Sequence, residues 1–100
     1  MKIDDYATWA TSIKRPYGND SKEVDLAYLG LGLAGESGEV TEVIKKYLRS
    51  GTWDGEHLAE ELGDVIYYWS KLCLAAGVRP SEILERSKTK IEGREAKNPA

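Results

Sequence analysis

Between residues 29 and 47 the apolar side chains recur at the period of an α-helix, and one of the positions that should be driest carries a carboxylate. At about 100° per residue, Leu29, Leu33, Glu36, Val40, Val43 and Tyr47 share one sector. A second stretch repeats the pattern. Leu58, Leu62, Val65, Trp69 and Leu72 form its stripe, with Glu61 at the border and Asp64 one step further round the same side. The short loop SGTWDG, residues 50–55, makes the two stretches antiparallel neighbours. Such a chain must fold by laying helix against helix, with Glu36 and Glu39 from one and Glu61 and Asp64 from the other facing a common groove.

The remaining punctuation predicts two further helices. Asp4 and Asp5 open a first helix over about 4–14, which Pro16 and Gly18 stop, and YGNDSK, residues 17–22, reads as turn. The second helix covers about 22–49 and ends on Lys45, Lys46 and Arg49, where cations suit the helix dipole. The third covers about 56–76 and stops at Gly77, a natural residue to follow a helix end. Pro80 bars continuation, and Ser81 is placed to cap the N-terminus of a fourth helix that ends in a frayed KNPA tail. Strand-like alternation is absent. The expected class is all-α, an antiparallel four-helix bundle-like fold, with residues 1–100 forming one domain.

The totals exclude some functions. With 14 Lys and Arg against 17 Asp and Glu, the net charge is −3, which argues against a surface for nucleic acid or anionic membrane. No stretch is apolar enough for a transmembrane span or a secretory signal. Cys73 is the single cysteine, so no internal disulfide forms and a reducing, cytoplasmic setting is expected. Cys73 itself reads as core.

Four carboxylates at the edge of a core lose hydration and repel one another. Either some hold their protons or a cation joins them. An all-oxygen set suits a hard divalent ion, Mg²⁺ or Mn²⁺. Gly35 and Gly38 flank the Glu36/Glu39 pair and Gly63 lies between Glu61 and Asp64. Each costs a helix about 1 kcal/mol, so they are expected either to let backbones approach or to clear volume for a bulky ligand. A di-iron carboxylate bundle is excluded, because it needs Glu-x-x-His on two helices and His57 is the only histidine.

GESGEV followed by EELGDVIYYW resembles the MazG-like all-α nucleoside triphosphate pyrophosphohydrolases, whose motif is Glu-x-x-Glu, a spacer, and Glu-x-x-Asp. LGLAGESGEVTEVIKK and AEELGDVIYYWSKL extend the likeness, which covers residues 4 to 95 and the short, single-domain, phage-type members best. The resemblance implies hydrolysis of a (deoxy)nucleoside triphosphate between the α- and β-phosphates, giving the monophosphate and pyrophosphate. Glu36, Glu39, Glu61 and Asp64 would then be the catalytic metal ligands. It further implies basic residues at the positions of Lys90 and Arg94; the Asn that family members often carry before them is Ser87 here, and the Gln common in their first helix is missing.

The chemistry asks for positive charge beyond the metal, so Lys46, Lys90 and Arg94 are candidate phosphate contacts. Trp9 is a candidate to stack on the base, and Trp53 to cap the pocket or anchor a neighbouring subunit, while Trp69 follows the core stripe. VIYYWSKLCLAA is apolar nearly all round, and Ile66, Tyr67 and Tyr68 lie off that stripe; together they predict a homodimer or homotetramer. Three alternatives share the scaffold: dUTP hydrolysis, phosphoribosyl-ATP pyrophosphohydrolysis, and a non-catalytic helical interaction module.

Overall fold

The computed structural model describes residues 1–13 and 21–97. The expected stops at Pro16 and Gly18, the turn at 17–20 and residues 98–100 of the tail lie outside that range. Four helices follow in order: α1 (Ile3–Ser12), α2 (Lys22–Ser50), α3 (Gly55–Ala75) and α4 (Pro80–Lys97). No strand occurs among the described residues.

Local capping explains most of the boundaries. The Ser21 hydroxyl accepts from the Val24 N–H at the start of α2 (3.1 Å), and the Asp54 carboxylate accepts from the His57 N–H at the start of α3 (3.0 Å). Two glycines do what an L-residue does poorly. Gly51, at φ 76°, closes α2 by donating to the Tyr47 carbonyl (2.7 Å). Gly77, at φ 82°, follows α3 in a Schellman turn, with its own N–H on the Leu74 carbonyl and that of Val78 on Cys73.

The start of α4 corrects the sequence expectation. Pro80, not Ser81, is the first helical residue, where its missing N–H is no loss. Ser81 therefore caps nothing. Its N–H donates to Asp4 Oδ1 at 2.8 Å and its hydroxyl donates to Asp4 Oδ2. Asp4, in the first turn of α1, is the acceptor that satisfies α4. These bonds favour the ionised form and hold the Asp4 carboxyl below its ordinary pKa.

Helix α3 is the hub. It runs along α2, receives α1 on another side, and touches α4, which also meets α1; α2 makes no such contact with α1 or α4. Ala7 and Ala10 of α1, Leu29 and Val43 of α2, and Cys73 of α3 are the buried apolar core. The helices are those expected, but one chain does not close a full bundle. Its Cα radius of gyration is 16.4 Å, against about 13 Å for a compact domain of this length. Leu62, assigned to the core stripe, is 50% exposed. Together with Ile3, Val65, Ile66, Trp69 and Leu84 it lines an apolar groove, so Trp69 faces a groove rather than a sealed core.

Candidate active site

Glu36 occupies the middle of α2 because the helical period puts it in the apolar stripe between Leu33 and Val40, and it is partly buried there. Antiparallel α3 brings Glu61 and Asp64 opposite. Each of the three offers an oxygen, and those oxygens lie within 4.8 Å of one another. The crowding marks Glu36 in particular. Desolvation, and after it the charges of Asp64, Glu61 and Glu39, raise its carboxyl above the ordinary pKa.

Glu39 stands apart. It is exposed and outside the three-carboxylate group, but close enough for its charge to reach Glu36. The expected quartet is thus a trio with a neighbour.

The glycines divide by what surrounds them. At Gly35, Gly38 and Gly63 a Cβ would meet nothing within 4 Å among the described residues. Close approach of backbones is therefore not their role within this chain; all three positions are exposed and open. Gly32 is different: a Cβ there would collide with the Tyr68 ring.

Two aromatic side chains reach the same neighbourhood from α1. Burial, and then the neighbouring Tyr67 and Asp64, raise the Tyr6 pKa, so Asp64 lies within electrostatic range of the first helix. Trp9, 53% exposed, packs tilted against Tyr6 with ring centroids 5.5 Å apart and meets Tyr67 edge-on at 6.4 Å. Tyr67 in turn meets Tyr68 edge-on at 5.5 Å. Tyr67 and Tyr68, expected as core or subunit contacts, are thus engaged within the chain, and Ile66 is left exposed. Trp53 packs edge-on against Tyr47 at 5.3 Å and closes the turn between α2 and α3.

The predicted phosphate contacts are dispersed. Lys46 is exposed on α2, and Lys90 and Arg94 are exposed on the outer half of α4, a helix that meets α1 and α3 but not α2.

Two residues near the site escaped the sequence reading. His57 Nε2 lies 3.1 Å from Glu61 Oε1, and the signal was their spacing of four on one helix face. Lys71 is buried, with Nζ donating to the Ile13 carbonyl at the end of α1 (3.1 Å) and to the Tyr67 hydroxyl (3.4 Å). Its signal was a lone charge inside an apolar run. That charge also suits the negative end of α1.

Two long antiparallel helices holding three convergent carboxylates, with Tyr6 of the first helix in electrostatic range of Asp64, define an all-α protein with an acidic site able to bind a metal ion. Residues 26–98 match the MazG nucleotide pyrophosphohydrolase domain, and the chain belongs to that family. The family supports nucleotide pyrophosphohydrolase activity in general and is typically dependent on a divalent metal. The chain is also similar to the Gene 37 protein of Mycobacterium phage L5, at 33% identity over 103 residues that cover 94% of this chain and 89% of the phage protein. No solved structure matches it. No helix among the described residues is long and apolar enough to cross a membrane.

Proposed function

We propose that this chain hydrolyses (deoxy)nucleoside triphosphates between the α- and β-phosphates, releasing the monophosphate and pyrophosphate, in a reaction that depends on Mg²⁺ or Mn²⁺. One observation carries the proposal: Glu36, Glu61 and Asp64 converge within 4.8 Å from two helices. The donor set fits a hard divalent cation, being all carboxylate oxygen with Glu39 in reserve and with repulsion that a cation relieves. Those residues would hold it. When bound, the ion neutralises phosphate charge and activates water.

The chain's own groups supply the rest. A carboxylate not consumed in ligation orients or deprotonates the attacking water. The open volume at Gly35, Gly38 and Gly63 admits the polyphosphate. Trp9, supported by Tyr6 and Tyr67, offers an exposed indole face on which a base can stack. Lys46, Lys90 and Arg94 are assigned to the phosphates. For the two on α4, this assignment depends on assembly. The expanded single chain and the exposed groove at Leu62, Ile66 and Leu84 support a homodimer or homotetramer that covers that face. Light scattering at micromolar concentration tests this, and a monomeric mass refutes it.

The deciding experiment is a panel of the natural (d)NTPs assayed for pyrophosphate and for orthophosphate, with Mg²⁺, Mn²⁺ or a chelator. Metal-dependent release of pyrophosphate with no orthophosphate is expected. No turnover of any triphosphate, or release of orthophosphate alone, overturns the reading.

A further inference from the structure

His57 is not needed for the four-acid reading, and the structure gives it a place in the site. Its position is fixed twice. The backbone N–H donates to Asp54 Oδ1 at 3.0 Å, which seats the residue in the first turn of α3, and its ring stands one turn before Glu61 with Nε2 3.1 Å from Oε1. The side chain of Glu61 is only 14% exposed, whereas that of His57 is 46% exposed, so the ring covers the acid from the solvent side. A carboxylate only accepts hydrogen bonds, so Nε2 carries the proton and donates.

Glu61 also offers an oxygen that lies within 4.8 Å of oxygens of Glu36 and Asp64. A flexible glutamate facing two like charges is pushed to rotate away. The bond from His57 opposes that rotation. We infer that His57 is a positioning residue that holds the Glu61 carboxylate in the orientation in which it converges with Glu36 and Asp64, preorganising the acidic trio for a divalent cation. The inference rests on the reading of that trio as a metal site. Groups that brace a ligating side chain commonly change metal affinity by about 10- to 100-fold when removed.

The test is calorimetric titration of the full-length protein with Mn²⁺ in the absence of nucleotide, alongside circular dichroism to confirm equal helix content. His57→Ala removes the donor. His57→Gln keeps an N–H donor able to reach a residue four positions on. Both retain the backbone N–H that Asp54 caps. The expected result is Mn²⁺ affinity lowered about tenfold or more in His57→Ala and largely recovered in His57→Gln. Glu61→Gln, titrated in parallel, reports on the site itself. If Glu61→Gln weakens Mn²⁺ binding while His57→Ala matches the unmodified protein, the positioning role is wrong and the metal site stands. Equal losses in His57→Ala and His57→Gln would make the imidazole a ligand in its own right and also overturn the inference. An unmodified protein that takes up no Mn²⁺ removes both.

Discussion

Adding one methyl group at Gly32 and at Gly35 should move the stability of the protein in opposite directions. Both lie inside α2, where Ala is favoured over Gly by about 1 kcal/mol. At Gly35 nothing stands within 4 Å of the new Cβ, so Gly35→Ala realises that gain in full. At Gly32 the Cβ would lie 2.8 Å from Cζ of Tyr68 and closer still to Cε1 and Cδ1. Those atoms belong to the body of a ring, not to the tip of a flexible chain, and Tyr68 is braced edge-on by Tyr67. Overpacking of this kind costs about 1–3 kcal/mol. Taking about 2 against the propensity gain of about 1 leaves Gly32→Ala destabilised by about 1 kcal/mol. At roughly 4–8 °C per kcal/mol for a domain of this size, thermal unfolding should rise by that interval for Gly35→Ala and fall by it for Gly32→Ala. If Gly35 leaves room for substrate, the more stable variant should also release pyrophosphate more slowly. A fall in Tm for Gly35→Ala would mean that something outside the chain fills the space, and a rise for Gly32→Ala would refute the packing argument.

Glu36 should make the metal-free protein less stable as pH rises. Its folded pKa lies above the unfolded one, so the folded state holds the proton more tightly and the penalty, absent below the ordinary glutamate value, develops as pH climbs through the raised value. Chemical denaturation of Glu36→Gln across that window should lose this slope and show a gain in stability at neutral pH; an unchanged slope would place the origin elsewhere. Asp4 has the opposite sign, its contribution being present above its ordinary value and lost as pH falls through its lowered one. Asp4→Asn should therefore flatten the acid limb of the same curve. Asp64→Asn should cut turnover by on the order of 10²–10³, the equivalent of several kcal/mol of transition-state charge stabilisation, with helix content unchanged by circular dichroism. A non-hydrolysable triphosphate analogue at 100 times its Kd with Mg²⁺ should stabilise the protein by about 2.7 kcal/mol, and a chelator should abolish the shift.

Much of the architecture was legible because it is written locally. Gly77, the SGTWDG loop and the cations ending α2 act within a few residues of themselves, so the helices they bound could be placed from the chain alone. The caps at Ser21, Asp54 and Gly51 emerge with the structure. The entry of Glu36 into an apolar stripe is likewise a matter of helical period. What could not be read depended on distance. The partner of Asp4 lies 77 positions away, and no pattern near Ser81 announces an acceptor from the first helix. The stripe on α3 implied that Leu62 is covered, because periodicity identifies an apolar face without saying which element lies on it. The glycines beside the acids predicted either contact or space, and only coordinates separate Gly32 from Gly35.

The clasp between Asp4 and Ser81 also has a bearing on how the polypeptide matures as it is made. The α2–α3 hairpin joins segments adjacent in the chain and can assemble with little loop-closure entropy. The first helix, though synthesised earliest, cannot complete its polar attachment until residue 81 has been delivered. The first helix can lie on α3 and take the Lys71 bond to the Ile13 carbonyl before then. Only its clasp to α4 is therefore closed late, and a nascent chain stalled before residue 81 would lack that last fastening.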